Sequence, residues 1–289
     1  MSRPRSWTLG LAAGTILSGW VFGQAAAPPV DVGTIPEPDL KLAAQPPPPG
    51  PSADDLAKLQ AAVDAAPADP QARRRLAMAL FQAGRKDAAL QQFTKVVELG
   101  STPRSLLDLA LAQSALALLP EAEATYRKLL ELAPRDPIAL HNLGNLALKK
   151  GDAPGAIAWY QQALAAKPDY LLAYYHLGDA LRQAGREADA YRAYERALAI
   201  DPTNPAEMSA AQDSLYRLAA LDLARGAPER AAPLLAELLR ANPNHPNAHY
   251  ALGQALTKLG RAEEAKREFD RHVRLQAARG PKGPVAADD

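Results

Sequence analysis

With no cysteine among its 289 residues, metal-binding or acid–base chemistry in this chain falls first to five histidines. His245 and His249 stand four apart, a spacing that on one helix face can hold zinc. Pro246 sits between them at a helix start, which leaves His245 outside the regular helix, and no third ligand is evident. His141, His176 and His272 are scattered over three separate stretches. No Ser–His–Asp grouping, phosphate-cradling glycine loop or paired acidic cleft is present, so catalysis has no visible carrier. The expectation is a protein that is not an enzyme and uses neither metal nor cofactor. Lack of cysteine also excludes disulfides, thiolate sites and cysteine nucleophiles. The charge is nearly balanced, 33 basic against 32 acidic residues, and gives no reason to expect nucleic acid, which needs a clustered basic face.

The remaining polar and aromatic candidates take their meaning from the elements that carry them. Pro137–Tyr170 and Leu171–Asn204 are one pattern written twice at a spacing of 34 residues. They match at Leu143/Leu177, Gly144/Gly178, Gly151/Gly185, Ala156/Ala190, Tyr160/Tyr194, Ala163/Ala197 and Pro168/Pro202. A repeat of this length with these residues resembles the tetratricopeptide repeat, a helix–turn–helix unit that stacks into a solenoid. The resemblance implies an all-α, right-handed α-solenoid.

The pattern has a physical logic. Gly144, Gly178 and Gly253, with Ala156, Ala190 and Ala265, are small where paired helices cross. Leu143, Tyr160 and Leu164 fall at helical spacing and give each helix an apolar stripe for its neighbour, as Tyr194 does one unit later. A larger side chain at the small positions overpacks the contact by ~1–3 kcal/mol. Gly151 suits a turn with positive φ, and Pro168 stops the second helix. Neither helix pair can bury its apolar face alone, so stability must come from stacking.

In chain order, residues 1–27 read as a signal peptide or a membrane anchor. Arg3 and Arg5 precede an uncharged run, and small residues at Gly23–Gln24–Ala25 fit cleavage near Ala25. The rival reading is an uncleaved tether over Ser6–Ala27, long enough as a helix, about 33 Å at ~1.5 Å per residue, to cross a bilayer. Both place the rest of the chain outside the cytoplasm, periplasmic, secreted or held at the outer face of the cytoplasmic membrane. Residues 28–52 form a proline-rich linker, expected to be extended or disordered. Residues 53–69 form an N-terminal capping helix with Leu56, Leu59 and Val63 on one face. The array runs over 70–279 in six units: 70–102, 103–136, 137–170, 171–204, 205–245 and 246–279. In the second, Ala117 replaces the turn glycine. The fifth carries seven surplus residues between Pro202 and Pro243, about two turns at ~3.6 residues per turn, which predicts an elongated first helix from Pro205 to about Arg225. Pro233 predicts that its second helix either starts late, near Glu229, or kinks. Residues 280–289 read as a flexible tail.

In tetratricopeptide-like proteins the first helices of successive units line a concave groove where partner segments bind. Carried over by position, the resemblance places there Arg74, Met78 and Phe81; His141, Asn145 and Lys149; Tyr175, Asp179 and Arg182; Tyr216; and Tyr250, Gln254 and Lys258. Tyrosine among scattered polar groups suits recognition, giving large contact area at low entropic cost. The implied function is a scaffold or adaptor for an extended peptide or a helix of another protein; an assembly factor for envelope proteins or c-type cytochromes is the alternative. The two-carboxylate clamp of some relatives is not expected, because His141 with Asn145, His176, and Asp213 with Arg217 supply only fragments of it.

Overall fold

Six helical hairpins follow one another in the computed structural model, which describes residues 32, 35, 36, 50–245 and 247–278. A leading helix, α1 (Ala53–Ala65), packs on the first hairpin, α2 (Pro70–Gln82) with α3 (Lys86–Leu99). Then come α4 (Pro103–Ala115) with α5 (Leu119–Leu132), α6 (Pro137–Lys149) with α7 (Ala153–Ala166), and α8 (Leu171–Gln183) with α9 (Glu187–Leu198). The last two hairpins are α10 (Pro205–Ala224) with α11 (Pro228–Ala241) and α12 (Ala248–Lys258) with α13 (Ala262–Ala278). No strand occurs among the described residues. Each helix packs on its successor, and neighbouring first helices also touch, α6 on α8, α8 on α10 and α10 on α12, which puts the first helices on the inner side of the curve.

Local sequence explains where helices begin. Ser52, Asp69, Thr102, Asp136 and Asn204 cap α1, α2, α4, α6 and α10, their side chains accepting from backbone N–H groups of the first turn. Proline at the first helical position follows the last four of these caps. Inside the hairpins, Tyr126, Tyr160 and Tyr194 are fully buried. A Cβ on Gly144 would stand 2.5 Å from Tyr160 Cε1, and one on Gly178 would stand 2.5 Å from Tyr194 Cε1. Gly253 faces Phe269 in the same way, at 2.6 Å. Ala156 and Ala190 are fully buried and Ala265 nearly so, as close helix crossing requires.

The turn between paired helices uses the left-handed backbone region throughout. Gly84, Gly151, Gly185, Gly226 and Gly260 have φ between 71° and 79°, and Ala117 is forced to φ 57° at the same place. The register therefore overrides the preference of alanine in the second unit.

The fifth unit holds the elongated helix expected from its surplus: α10 has 20 residues where α8 has 13. The start of α11 falls within one residue of the expected Glu229, although it is not late relative to the other units. That helix begins at Pro228, two residues after Gly226 as its counterparts do, and runs through Pro233. The helix therefore keeps the hairpin register and forgoes one backbone donor.

The expected signal or anchor over 1–27, most of the linker over 28–52 and the tail over 280–289 lie outside the described residues. Among the described residues, no helix is long and apolar enough to cross a membrane. Two residues inside the expected linker depart from that reading. Val32 and Ile35 are buried, and Arg240 Nη1 donates to the Val32 carbonyl at 2.9 Å. Branched aliphatic side chains gain by leaving water, which a purely solvated linker would not offer.

Candidate functional site

The inner row of side chains is uneven along the array. Met78 and Leu111 occupy, in the first and second units, the register held by Asn145 and Asp179 in the third and fourth. Met78 and Leu111 are 38% and 40% exposed, and Ile138 on α6 and Tyr250 on α12 are similarly open. Nearby, Arg74 pairs with Asp108 across α2 and α4, and Phe81 is drawn into the first hairpin's core.

In the third and fourth units the polar positions bond inward. Tyr160 donates its hydroxyl to Asn145 Oδ1 at 2.7 Å, and Tyr194 donates to Asp179 Oδ1 at 2.7 Å. Asp179 also faces Arg217 Nε at 3.3 Å and Arg182 Nε at 4.0 Å. Asn145 and Asp179, read from sequence as partner contacts, thus also hold their own hairpins together. Burial, with the Asp179 carboxylate adding to it, pushes the Tyr160 and Tyr194 phenols well above their ordinary range, so both stay neutral donors.

Behind this row lies a contiguous set of rings. His141 packs against Tyr160, Tyr170 and His176 at centroid separations of 5.7, 5.1 and 5.1 Å, and Tyr175 packs on His176 at 4.9 Å. His141 is only 5% exposed, and neither ring nitrogen meets a hydrogen-bond partner. Burial, with His176 beside it, lowers this imidazole to about 3, and burial lowers His176 as well. Tyr175 is half-buried, its phenol pushed up to about 12 by burial and the neighbouring Asp179. His141 therefore lies beneath the inner row of side chains rather than at its surface. Lys149 and Arg182 are exposed on the inner helices.

Towards the C-terminal end, Tyr216 packs on His245 and Tyr250 on Phe269 and His272. Lys258 Nζ donates to the Leu223 carbonyl at 3.2 Å, capping the end of α10. An open depression of about 370 Å³ lies here, lined by Leu223, Gln254, Thr257, Lys258 and Phe269. The histidine pair is divided between different partners. His249 Nδ1 contacts Glu268 Oε2 at 2.6 Å and its Nε2 contacts the Pro243 carbonyl at 2.8 Å, while His245 Nε2 stands 3.8 Å from Asp213. No group of three histidine or acidic side chains is placed to hold a metal ion among the described residues.

Two polar clusters escaped the sequence reading. Tyr191 donates to the fully buried Asp222 at 3.1 Å and accepts from Arg230 at 2.6 Å, joining the fourth and fifth units. Glu268, between His249 and Arg271, joins α12 to α13. The bonds that join separate helices in them span 31, 39 and 19 residues and show no periodic signature. The repeated tyrosine followed by a polar acceptor fifteen residues earlier is, in contrast, visible in the aligned units once the hairpin is known.

Four models described as tetratricopeptide repeat match the chain, at residues 51–103, 107–170, 171–204 and 222–279. No curated protein sequence matches it. Among solved structures, MamA is similar with a TM-score of 0.52 and 21% identity, covering 62% of this chain and 93% of MamA. YrrB, described as a TPR protein with an unusual peptide-binding site, aligns with a TM-score of 0.52 at 22% identity over 64% of this chain and 92% of its own. A tetratricopeptide repeat protein from Parabacteroides merdae ATCC 43184 gives a TM-score of 0.56 at 16% identity, covering 78% of this chain and 90% of that one. At these identities the likeness is one of fold.

Proposed function

Because the chain belongs to the tetratricopeptide repeat family, we propose that it is a non-catalytic scaffold seating a segment of another protein, extended or helical, against its inner row of helices. The observation that carries this reading is the open apolar register at Met78 and Leu111, with Ile138 and Tyr250 exposed at other positions of the first helices. Exposed Lys149, Arg182 and Lys258 flank it. Apolar anchors with a charged rim suit a peptide or helix face. The peptide-binding site ascribed to YrrB supports the same use of this fold. Arg3, Arg5 and the apolar run after them support work outside the cytoplasm, with residues 6–27 as a tether if they are retained. A role in assembling envelope proteins or c-type cytochromes is the narrower form of this reading, and the identity of the partner decides it.

The test is photo-crosslinking in intact cells with the reactive residue at Met78, at Tyr250, or at Glu195 on the outer side of α9. Crosslinks to one protein from the first two positions and none from Glu195 are expected. The reverse pattern moves the site to the outer face. N-terminal sequencing of the recovered chain reads whether residues 1–27 are removed.

A further inference from the structure

The second helices repeat one outward position, five residues after their buried alanine. It holds Thr94, Arg127, Gln161, Glu195 and Asp270 in the first, second, third, fourth and sixth units, all polar and all exposed. In the fifth unit it holds Ala236, which is fully buried. Ala232, a turn before, and Leu239, a turn after, are also fully buried and lie on the same side of α11. At that one position the fifth unit is thus apolar and covered where its five counterparts are polar and wet.

The same helix holds the start of the described chain. Arg240, next to Leu239, donates Nη1 to the Val32 carbonyl at 2.9 Å, and Val32 and Ile35 are 6% and 9% exposed. We propose that Val32 and Ile35 are the contacts of a strap docked in cis on the outer side of α11. The site takes a short peptide with two branched aliphatic residues three apart, one of whose carbonyls is read by Arg240. It lies apart from the inner groove and does not depend on the function proposed for that groove. It ties the N-terminal segment to the fifth hairpin, some two hundred residues away in sequence.

A chain without cysteine allows a direct test, because one introduced thiol is a unique probe. In the full chain, Ala236→Cys should react with a maleimide about tenfold more slowly than Glu195→Cys, its counterpart one unit earlier. Replacing Val32→Asp and Ile35→Asp together should bring the two rates level, and Arg240→Ala should move them in the same direction. Adding a synthetic peptide of residues 31–39 to the doubly replaced chain should restore protection at position 236. An unchanged helical circular dichroism signal and melting midpoint in each background report that the array is folded. Slow labelling at 236 with the strap replaced, or equal labelling with it intact, overturns the proposal. So does protection that falls on dilution of the wild-type background, which would mean the strap is exchanged between copies.

Discussion

Tyr194 reaches back fifteen residues to give its hydroxyl to Asp179 at 2.7 Å, with its ring laid on Gly178, the residue just before that acceptor. Tyr160 does the same one period earlier with Asn145 and Gly144. A ring pressed on a glycine and a hydroxyl held by the next side chain together lock the angle between the two helices. Asp179→Ala should leave a buried hydroxyl unpaired and cost about 1–3 kcal/mol. Gly178→Ala should cost a similar ~1–3 kcal/mol by overpacking a ring with nowhere to move. Thermal melting followed by circular dichroism checks both, and an unchanged midpoint for either removes the latch.

Ala117 gives a prediction of opposite sign. Its φ of 57° is occupied by glycine in every other unit. Left-handed backbone costs an L-residue roughly 1–2 kcal/mol, partly offset by the greater freedom of glycine in the unfolded chain. Ala117→Gly should therefore stabilise the array by about 1 kcal/mol, or about 2–4 °C in melting temperature. A lower midpoint would contradict the strain.

Acid should weaken the fold through the histidines beneath the inner row. His141 is lowered to about 3 by burial and by His176, from 6.5 in the free side chain. Between those values the unfolded chain takes up a proton that the folded one refuses. Stability should thus fall as pH drops below about 6.5, with a slope approaching about 1.4 kcal/mol per pH unit from this one group. Above that pH the group contributes no dependence. His141→Gln should flatten the decline without abolishing it, since His176 is lowered in the same direction. Denaturant unfolding at a series of pH values measures the slope, and identical slopes for the two chains would exclude His141 as its source.

Surface exposure separates binding from packing among the groove candidates. Arg182, which is exposed, should lower crosslinking to the partner when changed to alanine and leave melting within about 1 °C, as exposed substitutions usually do. Tyr250, 47% exposed but packed on Phe269 and His272, should lower crosslinking with a small drop in melting. Tyr175 packs on His176 and Tyr194, so Tyr175→Ala should lower melting as well. Tyr250→Ala with partner capture unchanged would take the C-terminal unit out of the site.

Hairpin register, turn positions and the long α10 were legible in the sequence because each rests on a local property: a missing Cβ, a missing N–H, or two extra turns that preserve facing. The inner surface was legible only as a row of positions. Asn145 and Asp179 stand in that row as expected, but their bonds to Tyr160 and Tyr194 depend on the angle between helices, which no spacing states. His141 fell beneath the inner row because Tyr170, the last residue of its own unit, and His176 of the following unit close over it. The contact of Arg240 with Val32 spans 208 positions and repeats nowhere, so periodic reasoning had no handle on it.

The two additional turns of α10 let it lean on α8 as well as α9, and Ala210 closes a small cluster there with Leu171 and Ala197. In a linear stack whose members otherwise hold chiefly their immediate neighbours, such a double grip makes one joint stiffer than the rest. Heat should consequently fray this molecule from its amino-terminal hairpins, where Ala117 already weakens a corner, while the fourth and fifth stay clasped until last.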